Sequence, residues 1–213
     1  MSGDDLFRAA QRGDLDVFRR LLVQLLYTGA PSSVFASAMV VAIWNDHGNI
    51  VAEIAYLAGN NKLELAARHG STEAARALLQ FKPSIPEKSP NALSHAAIHG
   101  HVATVALLVS FGASASSRAL ALSAAAENGC KPAVRTLIRA GADVNSRNWF
   151  NCTALHRAAA CGQAHVVAQL LYFKADVHSR SDNGKTALDL TSGRSVATAA
   201  VLRRFEASSA APL

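Results

Sequence analysis

Four histidines have a spacing that invites comparison with a metal site. His95 and His99 are four residues apart on one predicted helix, His101 follows the next turn, and His69 lies 30 residues before His99. Zinc requires three or four ligands that converge at about 2 Å, commonly with cysteine or acidic side chains among them. No such side chain is obviously close in the sequence. We therefore predict no metal site and no cofactor.

A cysteine and a histidine could also form a reactive thiolate pair. Cys161 and His165 are four residues apart, but Gly162 between them predicts a helix end, which disrupts the geometry of such a pair. No third residue is placed to orient the histidine, and the Walker A, GxGxxG, HExxH and GxSxG motifs do not occur in the sequence. We therefore predict that the chain is not an enzyme and has no small-molecule substrate.

Aromatic and basic residues near position 150 have the composition of a binding surface. Trp149 and Phe150 occupy a predicted turn where polar residues are usual, and Phe173 ends a nearby predicted helix. Arg147 and Arg157 flank the aromatic pair. Exposed aromatic rings beside arginines are typical of interaction hot spots. The alternative is that Trp149 folds back against a neighbouring segment.

These residues are positioned by a segment that covers residues 148–180. It begins with a turn, continues with a short alanine-rich helix from Thr153 to Ala160 that closes at Gly162, and ends with an amphipathic helix. The apolar face of the second helix is formed by Val166, Val167, Leu170 and Leu171. Two helices and a turn cannot enclose a core, so the segment must pack against copies of itself.

Such copies are present along the chain. The run that starts at Thr153 recurs 33 residues later at Thr186, and the Ala-Asp-Val run at Ala142 recurs 33 residues later at Ala175. The alanine helix that closes with glycine also occurs four times upstream, at residues 6–13, 63–70, 93–100 and 122–129. Each copy is followed by an aliphatic pair near the end of a second predicted helix.

The pattern resembles the ankyrin repeat. The Thr-Pro-Leu-His-x-Ala-Ala-x-x-Gly-His motif of that family matches best at residues 153–162, with Ala154 in place of proline, and its Gly-Ala-Asp-Val-Asn signature is intact from Gly141 to Asn145. The resemblance implies an all-α solenoid of stacked helix-turn-helix repeats with short β-hairpin-like fingers, a finger being the turn that leads into a repeat. It also implies that His156 makes structural hydrogen bonds within this turn network.

The resemblance further implies a concave groove lined by the two residues before each closing glycine, which we call groove residues. They differ from repeat to repeat while the alanine pairs do not, as a recognition surface requires, although surface drift would look the same. The groove residues are Gln11, Arg12, Arg68, His69, Ile98, His99, Glu127, Asn128, Ala160 and Cys161.

We predict a single domain over residues 1–206, followed by a flexible tail at 207–213. Its repeats cover approximately residues 4–29, 33–59, 61–84, 91–114, 120–147 and 148–180, with a terminal cap at 181–206. Residues 33–59 form a degenerate repeat or an inserted helix pair. Full fingers are expected at residues 143–153 and 176–186, with Asn151, Gly184 and Lys174 at positions that favour positive φ.

Composition limits where the chain works and what it binds. An odd number of cysteines, three, with no CxxC pair favours an intracellular location, in the cytoplasm or the nucleus. The N-terminus has no secretory signal, and the apolar run Val34–Trp44 is about half the length that a membrane span needs. We therefore predict no membrane association.

The net charge of +6 is unevenly distributed. Residues 1–112 hold nine basic and nine acidic residues, whereas residues 113–213 hold twelve and six. This excess would attract a partner with an acidic face, or it is ordinary solvated surface. We predict a protein-interaction module or adaptor that uses its groove and finger tips. Nucleic-acid or other polyanion binding through the basic half is the alternative.

Overall fold

Short apolar stretches separated by glycine turns fold into pairs of antiparallel helices. The computed structural model of the protein describes residues 3–55, 62–81, 91–148, 151–191 and 195–210, and every regular element within them is a helix. The helices are α1 Gly3–Arg12, α2 Leu15–Tyr27, α3 Ser32–Trp44, α4 Gly48–Ile54, α5 Lys62–His69, α6 Thr72–Phe81, α7 Asn91–Ile98, α8 Val102–Ser110, α9 Ala115–Glu127, α10 Lys131–Arg139, α11 Ala154–Ala160, α12 Ala164–Tyr172, α13 Ala187–Leu190 and α14 Val196–Ala210.

The chain comprises two compact units. The first consists of Met1–Ala92 with Ser110–Gly112, and the second of Leu93–Val109 with Ala113–Leu213. In the first unit, α3 contacts both α1 and α5, and α4 contacts both α2 and α6. The degenerate segment therefore takes the place of a repeat in this unit, rather than lying outside the row of helices.

The second compact unit has the same organisation. The first helices of successive repeats, α9, α11 and α13, pack in one row, while the second helices, α10, α12 and α14, pack in another. α9 and α11 pack against each other, and both contain leucines and alanines with no exposed surface: Leu122, Ala125, Ala126, Leu155, Ala158 and Ala159. Because alanine is small, the short helices can approach closely and bury an interior that has few aromatic residues.

The glycines that the sequence predicts to close the first helices have left-handed backbones. Gly129 has φ 74°, a conformation that residues with a Cβ atom rarely adopt, and a Cβ atom here would lie 2.5 Å from the Gln163 side-chain oxygen, so Gln163 would have to move. Asn151 and Lys174 adopt φ values of 55° and 69°, as expected for residues that replace glycine. For Lys174 this conformation costs up to about 1 kcal/mol.

Backbone hydrogen bonds join the two sides of each of the two predicted fingers. In the first, the Asn148 N–H donates to the Cys152 carbonyl at 3.0 Å, and in the second the Ser181 N–H donates to the Lys185 carbonyl at 3.0 Å. These bonds have the character of a hairpin end, but within the described residues they do not extend into β-strands. The described residues of each finger are therefore joined by backbone bonds without forming a β-ladder.

Two boundaries differ from the sequence prediction. α9 begins at Ala115, not near residue 120, because the Ser114 side chain accepts a hydrogen bond from the Ser117 N–H at 3.1 Å and caps a longer helix. Extra helix thus replaces the finger that is missing before this repeat. α14 continues to Ala210, beyond the predicted limit at 206, consistent with the high helix propensity of alanine. None of the described helices combines the length and hydrophobicity needed to cross a membrane.

Candidate functional site

His156 anchors the finger network. Its imidazole is fully buried, Nδ1 accepts from the Thr153 N–H at 3.2 Å, and Nε2 lies 3.2 Å from the Lys185 carbonyl oxygen in the second finger. Because Nδ1 is an acceptor, the proton lies on Nε2, which donates to Lys185. Burial is the main cause of a lowered pKa for His156, which favours this neutral form. His156 therefore has the structural role that the family resemblance implied.

Arg147 holds the first finger in shape. Its Nη1 donates to the Asn151 carbonyl at 3.1 Å and to the Arg180 carbonyl at 2.9 Å, and its Nη2 donates to the Ser179 hydroxyl at 3.0 Å. Arg180, 33 residues later, donates to the Gly184 carbonyl at 2.7 Å in the same way. The predicted binding residue Arg147 thus supports the finger that carries positions 149 and 150. Trp149 and Phe150 themselves lie outside the described residues.

Arg157 and Glu127, predicted for two different surfaces, are brought together. The Arg157 Nε donates to Glu127 Oε2 at 3.1 Å, and a second N–H of the same guanidinium also contacts that oxygen. This contact raises the pKa of Arg157 above its usual range. Both side chains are partly exposed, so the ion pair links α9 to α11 and also presents paired charges to solvent.

The groove residues of the second unit lie at the ends of consecutive first helices. Ile98 ends α7, Glu127 ends α9, and Cys161 follows α11 as its C-cap. His99, Asn128 and Cys161 are exposed, whereas Ile98, Glu127 and Ala160 are half-buried. The position before each left-handed glycine therefore gives a different side chain to solvent in each repeat.

A recurring hydrogen bond fixes these helix ends. At three of the helix ends, the residue after the turn bonds to the carbonyl of a groove residue in the preceding repeat: Gln163 Nε2 to Glu127 at 3.1 Å, Cys130 Sγ to Ile98 at 3.2 Å, and His47 Nε2 to Gln11 at 3.2 Å. Burial raises the pKa of the Cys130 thiol, consistent with a protonated donor. Three chemically different side chains thus hold the backbone of the groove residues in place.

In the first compact unit, the structure adds a residue that the sequence analysis missed. Arg68 and His69 are exposed at the end of α5, and the His69 ring lies 5.8 Å from the Trp44 ring at the end of α3. Trp44 is 58% exposed, and it is followed by Asn45 and then by Asp46 at φ 55°. Asp46 thus takes the left-handed position that glycine takes elsewhere, which makes Trp44 and Asn45 the groove residues of the degenerate repeat.

The position of Trp44 before the turn can be read from the local sequence, although no glycine marks that turn. The left-handed residue that ends α3 is Asp46, two residues before the nearest glycine, Gly48. Aspartate adopts the left-handed conformation more readily than most residues other than glycine. Its Oδ1 also accepts from the Ala74 N–H at 3.0 Å, which holds the turn against α6. In the sequence, this turn is indicated by Trp44 at the end of an apolar run, followed directly by Asn45 and Asp46.

The remaining residues singled out in the sequence are Phe173, the histidines and the cysteines. Phe173 is half-buried at the C-cap of α12, with its ring edge-on to Tyr172 at 5.5 Å. The rings of His99 and His101 lie 6.0 Å apart. Over the described part of the chain, no three His, Cys, Asp or Glu side chains converge as a metal site. All three cysteines are free, and Cys161 is exposed.

The family described as ankyrin repeats in three copies matches residues 6–119, 63–148 and 122–203. The structure resembles the ankyrin repeat domain of Bcl-3, described as a unique member of the IkappaB protein family, with a TM-score of 0.71 and 22% sequence identity. The superposition covers 93% of this chain and 97% of that chain.

Three relatives show similarity over part of their length. Ankyrin repeat and SOCS box protein 11 from Danio rerio is 41% identical over 49% of this chain and 36% of the relative. The Probable E3 ubiquitin-protein ligase XBOS32 from Oryza sativa subsp. japonica is 33% identical over 62% of this chain and 22% of the relative. The Ankyrin repeat and KH domain-containing protein CBG24701 from Caenorhabditis briggsae is 32% identical over 58% of this chain and 5% of the relative. The chain thus spans about a third or less of each relative. Its repeats, helix pairs and family match together show that the chain belongs to the ankyrin repeat family.

Proposed function

We propose that this chain is a protein-interaction module that recognises a partner protein through its groove residues and finger tips. Ankyrin repeats typically act in protein-protein interaction. The observation that carries the proposal is the constant frame of fully buried alanines and leucines, beside which each repeat exposes a different residue: His99, Asn128 and Cys161 in the second unit. A varied surface on a constant frame is what recognition of a specific partner needs.

The hydrogen bonds that fix the backbone of the groove residues support this function. The carbonyls of Gln11, Ile98 and Glu127 are bonded by side chains of the following repeat, so the groove backbone is held before any partner binds. Binding to such a surface avoids part of the entropy cost of ordering loops. Trp44, Trp149 and Phe150 are the proposed apolar anchors, because buried aromatic side chains commonly dominate interface energies. Arg68, His69, Arg157 and Phe173 are further proposed contacts.

The proposal includes an adaptor role without catalysis, cofactor or small-molecule substrate, in the cytoplasm or the nucleus. Three free cysteines are consistent with a reducing compartment. Nucleic-acid or other polyanion binding is a second candidate, because Lys131, Arg135 and Arg139 are exposed on one helix without ion pairs among the described residues. Its expected signature is retention on a polyanionic resin that falls steeply with salt.

Affinity capture with surface variants tests the main proposal. We expect a partner retained by the wild-type chain to be lost, by about tenfold or more, from a variant that combines His99→Ala with Asn128→Ala, and from Trp149→Ala. The matched control combines Gln24→Ala with Arg203→Ala, two exposed positions on second helices. Melting temperatures of all variants are measured in parallel to exclude unfolding. Equal capture by the wild type and both binding variants would reject these surfaces.

A further inference from the structure

A groove between α10 and α12 carries an unusual set of side chains, distinct from the groove residues at the ends of the first helices. On α10, Lys131, Arg135 and Arg139 are spaced four residues apart and are all exposed. A spacing of four keeps them on one side of the helix, and they span about 12 Å along its axis. We call this feature the basic groove, and its volume is about 500 Å³.

The positive charge of the basic groove is not compensated within the described residues. Neither α10 nor α12 contains an aspartate or a glutamate. The three cations of α10 make none of the ion pairs found in the described part of the chain, whereas Arg19 and Arg157 are each paired with a glutamate. Like charges four residues apart destabilise a helix. An anionic ligand in the groove would relieve this repulsion.

The opposite wall and the floor are formed by α12 and its C-cap. Tyr172 is 76% exposed and packs edge-on against Phe173, so the two rings offer an apolar surface beside the cations. Between the walls lies Gln169, which is only 9% exposed. Its Oε1 atom is buried and accepts no hydrogen bond from the protein. A buried acceptor without a donor is costly. A ligand that supplies an N–H group would therefore favour a turn of the Gln169 side chain that brings this oxygen into the groove.

We propose that the basic groove binds a short acidic peptide segment of a partner protein. Aspartate or glutamate side chains of the segment pair with Lys131, Arg135 and Arg139, an apolar side chain packs on Tyr172 and Phe173, and a peptide N–H donates to Gln169 Oε1. A length of 12 Å accommodates about four extended residues. A peptide fits better than a nucleic acid, because the cationic stripe covers only two helical turns and a peptide backbone offers regularly spaced N–H donors.

The first test uses three labelled probes with the full-length chain. The probes are a fluorescent peptide of about eight residues that contains Asp, Glu and Leu, the same peptide with Asn and Gln in place of the acids, and a single-stranded oligonucleotide of similar length. Fluorescence anisotropy is measured at low and at physiological salt. We expect the acidic peptide to bind best, and about tenfold or more tighter than its neutral counterpart. Tighter binding of the oligonucleotide would overturn the choice of ligand.

Charge reversal locates the binding. Arg135→Glu combined with Arg139→Glu is expected to weaken acidic-peptide binding by about tenfold or more. The control combines Lys185→Glu with Arg203→Glu, two exposed positions outside the groove, and changes the net charge equally. An equal loss in the control would show that net charge alone attracts the peptide, which would overturn the proposal.

Replacement of Gln169 separates a binding role from a structural one. Gln169→Leu removes the buried acceptor at similar volume, so the stability of the fold is expected to be kept or raised. Acidic-peptide affinity is expected to fall by about three- to tenfold, the contribution of one hydrogen bond. Unchanged affinity in a folded Gln169→Leu variant would show that the peptide does not use the floor of the groove. This test is independent of the function proposed for the first-helix groove residues.

Discussion

Single side chains in this protein often serve the backbone rather than a partner. Arg147 donates to three groups in two fingers, and His156 joins the start of α11 to the following finger. The position of Arg147 beside two aromatic residues suggested binding, whereas the family resemblance implied a structural role for His156. Whether a side chain supports the fold or is free to bind a partner depends on which groups lie opposite it. Those groups belong to the neighbouring repeat.

The lowered pKa of His156 predicts a pH-dependent stability. In the unfolded chain the imidazole takes up a proton near pH 6.5, whereas the folded protein resists protonation of the buried ring. The unfolded state therefore binds more protons as the pH falls through about 6.5, and folding loses on the order of 1 kcal/mol. Urea unfolding between about pH 7.5 and pH 5.5 measures this loss.

The comparison for this prediction is His156→Gln, which cannot titrate. The chain has eight histidines, so only the difference between the two pH profiles reports on position 156. We expect the variant to be less stable at neutral pH and to have a flatter profile. Parallel profiles would contradict a buried neutral histidine at this site.

At the scale of the helix, each element is stable only through its neighbours. α11 has seven residues and α13 has four, too few to persist alone in water. Their ends are fixed by Thr153 and Thr186, each of which forms a capping box with the residue three positions later. The remaining stability comes from packing between α9, α11 and α13. The loss of one buried contact in this row should therefore weaken several elements together.

Leu155→Ala tests the packing of α11. Leu155 has no exposed surface, so its truncation is expected to cost about 2–5 kcal/mol through lost burial and a cavity. The matched control is Leu120→Ala on α9, where the leucine is 38% exposed and the expected cost is below about 1 kcal/mol. Chemical denaturation measures both values. Near-equal stability of the Leu155 variant and the wild type would mean that α11 is packed on a different face.

At the scale of the whole molecule, the chain comprises two compact units, while the sequence predicts one domain over residues 1–206. In repeat proteins, contacts between neighbours determine whether the array unfolds as one body or in parts. Both units follow the same plan of paired helices, with first helices in one row and second helices in another. The single-domain assignment remains a prediction that unfolding cooperativity can decide.

The unfolding of each unit can be followed by the fluorescence of its own tryptophan. The chain contains only Trp44, in the first unit, and Trp149, in the second, so Trp149→Phe and Trp44→Phe each leave one reporter. For a single cooperative domain, the urea midpoints seen by the two reporters coincide with each other and with the loss of helical circular dichroism. Separate midpoints would instead indicate two domains that unfold independently.

The sequence by itself determined the repeat, most of its helices and the left-handed turns at its glycines. These features depend on residues close together in the chain, and their recurrence made the buried positions of Leu155 and Ala158 predictable. The local patterns that gave positive φ to Asn151 and Lys174 are of the same kind. Family membership followed from the motifs for the same reason.

Only the tertiary structure decided which side chains meet across repeats. The Arg157–Glu127 pair, the bonds from His47, Cys130 and Gln163 to groove carbonyls, and the position of Gln169 at the floor of the basic groove join residues that are far apart in the sequence. Such contacts depend on the register between neighbouring repeats, which is set by how the helices of one repeat pack on those of the next. A local sequence pattern sets the helices, but the packing of one repeat on the next sets the surface.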